Sequence, residues 1–412
     1  MKVLWLTNSP SNFKSNSNIY NGEGWISSLE EFLVSNRNIK LAVSFLMDNQ
    51  PWKIEQKGVL YYPLKKNCGN WFEIKFKNIV RVDETRRYLS AASRVIEDFK
   101  PDIIEVFGSE NIWGLIAKTV NLPVVLHVQG IVMPINNACL PPFVSWKKYL
   151  FNDLNPISIL HRYREKMQWA RLQSIEGRIF SSVDYYIGRT TFDKRITSLY
   201  NPSRHYFHVD EILRPVFYIP GERVSPPRLT IITTISSPLY KGFDLVLKTA
   251  KLLKTQCEFD FVWKCYGNIR PHVVEKMVSI KHNEVNVELC GVATAEQLKD
   301  ALLNSTIYVH TSYIDNSPNS ICEAQILGIP VIATYVGGIP SLIEDKVTGY
   351  LVPANDPFQM ALLIKSLFAD KDLINKIGNE AKKVAKLRHD RNQIINDLLH
   401  SYKVIVELYK NK

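Results

Sequence analysis

Two acidic residues eight positions apart, Asp315 and Glu323, form the most suggestive chemical pattern in the sequence, within DNSPNSICEAQILGIPVIATYVGGIP. Asn319 or Ser320 is a good N-cap for a helix that begins near Ile321 and has Glu323 in its first turn. Gly328 suits the left-handed position at the end of this helix. The free N–H groups of a helix N-terminus favour anions and hydroxyls, and carboxylates accept hydrogen bonds from sugar hydroxyls. The pattern therefore suits a phosphate-bearing sugar. On spacing alone, a solvated turn at Asp315 and a helix-dipole role for Glu323 explain it equally well.

The longer run SPNSICEAQILGIPVIATYVGGIPSLIEDKVTGYLVP resembles the signature of the family 4 glycosyltransferases, which have the GT-B fold. Several positions of that signature are kept: Glu323-Ala324, Gly328, Pro330, Gly337-Gly338, Pro340 and Gly349. The first acid departs from it, because Asp315 stands where the family has Glu. The resemblance implies a function in sugar transfer.

The resemblance also implies roles for individual donor-binding residues. Glu323 would bind the ribose hydroxyls of the nucleotide, and Asp315 would contact the donor sugar. Pro318 has no N–H. The amides of Asn319 and Ser320 would therefore contact the sugar hydroxyls and the phosphate.

A second stretch, TISSPLYKGFDLVLKTA, is similar to the family pattern in which an Arg and a Lys grip the diphosphate. Lys241 matches the Lys, whereas Ser236 stands where the Arg would be. A cation is needed there because the negative charge of the departing nucleoside diphosphate grows in the transition state. We therefore take Lys241 and Asp315 as the candidate catalytic residues. Because Ser236 replaces the Arg, either an Arg from elsewhere in the chain contacts the diphosphate or the diphosphate is less strongly stabilised.

Three further stretches match weaker family motifs. NGEGWISSLEEFL carries Gly22 and Gly24, which allow close approach of the backbone to the donor diphosphate. VVLHVQG places Gln129 where the family often has a His beside the donor sugar, and we interpret His127 as a buried sheet residue. ELCGVATAEQL implies that the backbone around Val292 contacts the nucleobase.

No metal ion or cofactor is predicted. The Asp-x-Asp spacing at 370–372 falls between two amphipathic segments and is interpreted as a turn or a helix cap. The six cysteines show no C-x-x-C spacing, which argues against a zinc site or a disulfide framework.

Short apolar strands alternate with amphipathic helices along the whole chain, which predicts an α/β protein with parallel sheets. The predicted strands are KVLWLTN, IKLAVSFLM, PDIIEVFG, PVVLHVQG and VDYYIGRT in the first half and TIITTIS, FDFVWKCYG, TIYVHTS and IPVIATYV in the second, and the predicted helices include IWGLIAKTVN. A proline-rich stretch interrupts this alternation and is interpreted as a linker. We predict a first Rossmann-like domain at 1–213, a linker at 214–228, a second such domain at 229–390, and a C-terminal helix at 391–412 that crosses back to the first domain. Ligands of such sheets bind at the carboxyl ends of the strands, in the cleft between the two halves.

The 412 residues carry a net charge of +11, which indicates an anionic partner. Part of the excess lies between Lys147 and Arg171, where Ile157, Leu160 and Met167 share one helical face. This segment is either a solvated surface helix or a peripheral contact with an anionic membrane. No nucleic-acid motif accompanies the charge, so nucleic acid is not an expected partner. The start resembles no signal peptide, and we expect a cytoplasmic protein, peripheral on the inner face of the cell membrane if the segment contacts lipid.

Together these features predict a retaining, metal-independent glycosyltransferase. It would transfer a sugar from a UDP- or GDP-linked donor to a glycan or lipid-linked glycan in surface polysaccharide synthesis. Two alternatives remain open: a sugar-nucleotide 2-epimerase of similar fold, and a catalytically weak scaffold that binds sugar nucleotides.

Overall fold

The computed structural model describes residues 1–13, 24–35, 39–66, 83–256 and 260–412. Within these ranges the chain forms two separate β-sheets with helices on both faces, as the alternation of apolar strands and amphipathic helices predicts. Gly22, one of the two predicted loop glycines, lies outside the described residues.

The first sheet has eight strands in the order β3-β4-β2-β1-β5-β6-β7-β8, and only β3 is antiparallel to its neighbour. The strands are β1 (Lys2–Leu6), β2 (Lys40–Leu46), β3 (Ile54–Gln56), β4 (Val59–Leu64), β5 (Ile103–Phe107), β6 (Val124–His127), β7 (Tyr185–Gly188) and β8 (His205–His208). The α-helices in this part of the chain are α1 (Trp25–Val34), α2 (Thr85–Phe99), α3 (Val132–Asn137), α4 (Trp146–Leu150), α5 (Pro156–Phe180) and α6 (Thr191–Tyr200). Of these, α4 packs through Tyr149 on the apolar core of the second sheet.

Some elements of this domain differ from the sequence prediction. Strands β3, β4 and β8 were not identified, because they are short or rich in Tyr, His and Pro rather than in aliphatic residues. The segment Ile112–Lys118, predicted as an α-helix, forms a 3₁₀ helix.

The second sheet has six parallel strands in the order β11-β10-β9-β12-β13-β14. They are β9 (Leu229–Thr234), β10 (Phe261–Tyr266), β11 (Val287–Gly291), β12 (Ile307–His310), β13 (Val331–Thr334) and β14 (Tyr350–Val352). The α-helices are α7 (Phe243–Gln256), α8 (His272–Val278), α9 (Ala295–Leu303), α10 (Asn319–Leu327), α11 (Pro357–Ala369) and α12 (Lys371–Arg388). The neighbouring central strands β9 and β12 end at the cleft between the domains, where they place Thr234 and His310.

The final helix, α13 (Arg391–Lys410), packs on the first sheet, as predicted. Ile394, Leu398 and Tyr402 join the same apolar cluster as β1. The Trp5 indole N–H donates a hydrogen bond to the Tyr402 hydroxyl over 3.2 Å. A helix from the end of the chain thus covers the domain formed by its beginning.

The chain passes between the domains twice, and the two crossings touch. The first crossing contains a 3₁₀ helix at Pro215–Tyr218, and the second lies between α12 and α13. The Tyr218 hydroxyl donates to the His389 carbonyl over 3.0 Å, and His389 Nδ1 lies 2.8 Å from the Glu211 carbonyl oxygen. We call the residues that form these contacts, Glu211, Tyr218 and His389, the hinge between the domains.

Candidate active site

A cavity of about 710 Å³ lies in the cleft, within the size range of small-molecule sites. Both domains contribute to its wall. The lining residues are Asn12, Gly24, Ser27, Ser28, Glu31, Arg214, Pro215, Val216, Thr234, Thr294, Ala295, Glu296, Leu298, Asn319, Ser320 and Glu323. Four of the predicted donor-binding residues, Gly24, Asn319, Ser320 and Glu323, are therefore brought together around one space.

Helix α10 begins at Asn319, with Pro318 in the N-cap position and no side-chain cap. The prediction that Asn319 or Ser320 caps a helix starting near Ile321 is therefore wrong. The fixed φ of a proline, here −71°, suits the residue that precedes a helix, so the helix extends farther toward the cavity. Glu323 consequently lies beyond the first turn of the helix, whereas the sequence had predicted it within that turn. The helix ends as predicted, at Gly328 with a φ of +82°.

Glu323 is fixed by an arginine from the crossing segment. Arg214 Nε and Nη2 donate to the two carboxylate oxygens of Glu323, each over 2.8 Å. Burial raises the pKa of Glu323, while the Arg214 guanidinium opposes that shift. The pair presents a carboxylate and a cation on the same wall of the cavity. Sequence reasoning gave Arg214 no role, because 109 positions separate the two residues.

Lys241 and Asp315, the two candidate catalytic residues, form an ion pair with 2.5 Å between Nζ and Oδ2. Burial alone would raise the pKa of Asp315, but the Lys241 ammonium and the His310 hydrogen bond hold it well below its usual range. Burial likewise opposes the charge of Lys241, and Asp315 raises its pKa. Both side chains are therefore charged at neutral pH.

A buried histidine fixes the Asp315 carboxylate from the other side. His310 Nε2 lies 2.9 Å from Asp315 Oδ2, and burial lowers the pKa of the ring. Because the ionised Asp315 can only accept, the neutral ring carries its proton on Nε2. Nδ1 faces the Tyr308 hydroxyl at 3.4 Å, and that hydroxyl lies 2.8 Å from Thr234 Oγ1 on the cavity wall. A chain of hydrogen bonds thus joins the cavity to Asp315.

Three predicted donor-binding residues do not line this cavity. Ser236 is exposed in the bend after β9. Val292 is exposed after β11, although the nearby residues 294–296 and Leu298 do line the cavity. Gln129 lies in the first domain, where its carbonyl accepts a hydrogen bond from Asn316 over 3.0 Å.

His127 is buried in β6, as interpreted from the sequence. Its Nδ1 lies 2.7 Å from Glu105 Oε1, and burial lowers the pKa of the ring. The ring packs against Trp25, the first residue of α1. Among the described residues, its Nε2 has no hydrogen-bond partner.

A second buried ion pair lies beside the hinge. Arg189 Nη1 donates to Glu211 Oε2 over 3.0 Å, and both side chains are almost fully buried. Burial would raise the pKa of Glu211, but the Arg189 charge is the main influence that lowers it to about 2.

Glu211, Cys322 and His389 are close enough together to suggest a metal site, but their chemistry does not fit one. Arg189 already neutralises Glu211. Burial raises the pKa of the Cys322 thiol, which stays protonated and bonds to Glu211. The Asp-x-Asp spacing at 370–372 is a helix cap, since Asp370 Oδ1 accepts from the Leu373 amide over 2.9 Å.

Two Rossmann-like domains that face each other across a ligand-sized cleft, with a C-terminal helix returning to the first domain, define the GT-B class of fold. The chain superposes over its full length on sucrose-phosphate synthase from Thermosynechococcus elongatus, covering all of that chain, with a TM-score of 0.72 and 14% identity. It also superposes on HepE from Anabaena in complex with UDP-glucose, with a TM-score of 0.63 and 15% identity, covering 97% of this chain and 100% of that one. The predicted fold is confirmed.

Residues 225–384 match the model of the family "Glycosyl transferases group 1", and so carry the domain of that family. Among curated relatives, a D-inositol 3-phosphate glycosyltransferase of Streptomyces bingchenggensis is 35% identical over 88 residues, 21% of this chain and 19% of the relative. The putative colanic acid biosynthesis glycosyltransferase WcaL of Escherichia coli is 28% identical over 183 residues, 42% of this chain and 44% of the relative. The chain thus spans less than half the length of these relatives.

Proposed function

We propose that this protein is a retaining glycosyltransferase that transfers a sugar from a UDP- or GDP-linked donor to a hydroxyl of a growing glycan. The observation that carries this proposal is two acid–cation pairs, of which Glu323–Arg214 lines the cavity and Asp315–Lys241 does not but is joined to it by hydrogen bonds. A hydrogen-bond chain through Tyr308 and His310 connects the two places.

Each group has a task that its chemistry suits. Glu323 accepts hydrogen bonds from the ribose hydroxyls, and the first amides of α10 bind phosphate oxygens. Asp315 holds the donor sugar as its bond to the diphosphate breaks. Lys241 offsets the charge that grows on the departing diphosphate. Arg214 supplies the second cation, which Ser236 cannot.

The comparisons support a role in polysaccharide synthesis. HepE, which shares the fold, binds UDP-glucose, and WcaL is named for colanic acid biosynthesis. The base is proposed to lie near residues 294–296, which line the cavity.

A screen of UDP- and GDP-sugars tests this proposal. The correct donor should raise the melting temperature, since a ligand stabilises the folded state by its binding free energy. It should also be hydrolysed slowly without acceptor, with release of the nucleoside diphosphate. Conversion of the donor to its 2-epimer, followed by NMR, would favour the epimerase. Tight nucleotide binding without any turnover would favour the scaffold.

We propose further that turnover requires no divalent cation. Arg214 and Lys241 provide positive charge at the cleft, which is the task of the metal in other glycosyltransferases. The test is an assay after exhaustive chelation, followed by addition of magnesium or manganese. Unchanged turnover is expected, and activity lost on chelation and restored by metal would contradict this part of the proposal.

A contact with an anionic membrane is proposed for the segment from Lys147 to Arg171. Leu154, Ile157, Leu160 and Met167 are exposed there, on and just before α5. Such an apolar stripe among cations is typical of surfaces that lie on anionic lipid. In the described part of the chain, no helix has the length and apolar character needed to cross a membrane. We therefore propose peripheral attachment at the inner face of the cell membrane, close to a lipid-linked acceptor.

Co-sedimentation with vesicles tests this contact. The protein should bind anionic phospholipid vesicles at low salt, less at high salt, and neutral vesicles least. Replacing Ile157 and Leu160 with Ser should reduce binding. Replacing Phe358 and Leu362, exposed on α11, with Ser should not. Equal binding to neutral and anionic vesicles would remove the electrostatic part of the idea.

A further inference from the structure

Asn316, the residue after Asp315, belongs to the second domain, yet within the described part of the chain its side chain bonds to first-domain residues alone. Its Oδ1 accepts from the Thr190 hydroxyl over 2.6 Å. Its Nδ2 donates to the Gln129 carbonyl over 3.0 Å and to Asp193 Oδ2 over 3.1 Å. Because a carbonyl and a carboxylate can only accept, these partners fix the orientation of the amide. All its strong hydrogen-bonding groups are satisfied across the domain boundary.

The first-domain partners of Asn316 are held in place by further hydrogen bonds. Thr190 and Asp193 form the capping box that starts α6, with the Asp193 amide 3.1 Å from Thr190 Oγ1. Asp193 is fully buried and also accepts from the Arg189 amide over 2.9 Å and from the Tyr206 hydroxyl. Asn316 therefore contacts a carboxylate and a hydroxyl whose positions are already fixed by several hydrogen bonds.

On the second-domain side, Asn316 is tied directly to the Asp315 carboxylate. The Asn316 amide lies 3.2 Å from Asp315 Oδ1, and the Gly338 amide donates to the Asp315 carbonyl over 2.9 Å. A Cβ at Gly338 would lie 2.2 Å from the Asn316 carbonyl oxygen, so this loop has no free space. A shift of the first domain against Asn316 therefore moves Asp315.

We propose that Asn316 is a positioning residue that fastens the Asp315 loop to the first domain. It thereby makes the placement of Asp315 at the donor sugar depend on closure of the two domains. This inference rests on the proposed function and deepens it, because it couples sugar transfer to the approach of the acceptor-side domain. Its three interdomain hydrogen bonds require the two domains to lie against each other as they do here.

The matched control is a second interdomain contact away from Asp315. Ser341 Oγ lies 3.0 Å from both the amide and the hydroxyl of Thr191, at an exposed edge of the same boundary. Ser341→Ala removes this contact and leaves the hydrogen bonds of Asp315 unchanged. If domain contact in general were important, Ser341→Ala and Asn316→Ala would have similar effects.

The experiment measures turnover, KM and nucleoside diphosphate affinity for both variants. Asn316→Ala should lower kcat about ten-fold or more. It should leave the affinity for free UDP or GDP within about two-fold, since Glu323 and α10 are untouched. Ser341→Ala should stay within about two-fold of the original protein in all three values. Equal kcat values for the two variants would overturn the proposal, and so would an equal loss of nucleotide affinity and turnover in Asn316→Ala.

Asn316→Asp gives a readout that does not depend on activity. It places a carboxylate against Asp193 and the Gln129 carbonyl, so repulsion should hold the domains apart. Small-angle X-ray scattering should then show a larger radius of gyration than for the original protein and for Ser341→Ala. An unchanged radius of gyration would overturn the proposed role of Asn316 in holding the domains together, even if the protein proved to be no transferase. Absence of nucleotide binding in the original protein would instead refute the proposed function.

Discussion

At the scale of single residues, the two acids of the opening pattern have different partners. Glu323 is held by Arg214 on the cavity wall, whereas Asp315 is held by Lys241 and His310 at the end of β12. Glu323 is buried and Asp315 is partly exposed, and each carboxylate is paired with a cation. We propose that Glu323 contacts the nucleotide and Asp315 the sugar.

Substitution should separate these two roles. A hydrogen bond to a charged group contributes roughly 1.5–3 kcal/mol. Glu323→Ala should therefore weaken free nucleoside diphosphate binding by roughly ten- to a hundred-fold. Asp315→Ala should leave that affinity nearly unchanged and lower turnover. Calorimetry beside transfer assays measures both, and an equal loss of nucleotide affinity in the two variants would show that the division of labour is wrong.

His310 should act through Asp315 rather than on the substrate. His310→Leu removes the donor on Asp315 and should lower kcat about ten-fold, with little change in nucleotide affinity. His310→Gln keeps an N–H donor near the position of Nε2 and should restore most of the turnover. If the Gln and Leu variants were equally impaired, the hydrogen bond would not be the cause.

At the scale of elements, the loop after β13 supports the Asp315 loop through a glycine. Gly337 has a φ of +53°, and a Cβ there would lie 1.9 Å from the Asp315 carbonyl oxygen. No side chain fits without moving the strand-to-helix loop that carries Asp315. The two glycines of this loop thus have a steric reason in addition to their family match.

Gly337→Ala should destabilise the fold and displace Asp315. Left-handed strain and the clash together should lower the free energy of unfolding by roughly 1–3 kcal/mol, as measured with urea. Turnover should fall more than nucleotide affinity. Gly177→Ala is the control, because a Cβ at this position in α5 meets nothing within 4 Å. It should be neutral or stabilising by up to ~1 kcal/mol, and a similar result for Gly337→Ala would contradict the steric argument.

At the scale of the whole molecule, the hinge depends on the buried Arg189–Glu211 pair. The pKa of Glu211 is depressed from 4.5 to about 2. A depressed carboxyl pKa stabilises the folded state above the ordinary value, and this stability is lost as the pH falls toward the folded value. At ~1.4 kcal/mol per pKa unit, the depressed pKa corresponds to about 3 kcal/mol of stability at neutral pH that is absent when the carboxyl is protonated.

Unfolding measurements from pH 6 to pH 2.5 test this contribution. The free energy of unfolding should fall as the pH drops below about 4.5. Glu211→Gln should be less stable at pH 6 by roughly 3–5 kcal/mol, because it leaves Arg189 buried without its charge partner, and its pH dependence should be flatter. Glu380→Gln, which breaks the exposed pair with Lys383, should change stability by less than ~0.5 kcal/mol. A pH dependence unchanged in Glu211→Gln would contradict the assignment.

The local patterns of the sequence were sufficient for much of the fold. Apolar runs and helical periodicity predicted β1, β2, β5, β6 and most strands of the second sheet, because strands and helices follow from the spacing of neighbouring residues. Gly328 was predicted as the left-handed end of α10 for the same reason. Elements whose composition is atypical, such as β4 and β8, were missed.

The sequence by itself also pointed to Asp315, Lys241 and Glu323, because a family signature records residue type and spacing along the chain. Only the tertiary structure decided their partners. Arg214 reaches Glu323 over 109 positions, and Asn316 reaches Gln129 over 187. Such contacts have no periodicity in sequence, because they arise from the packing of one domain against another. The residue types at the site could therefore be recognised from short stretches of sequence. The ion pairs and the hydrogen bonds of Asn316 between the domains depend instead on how the two sheets come to face each other.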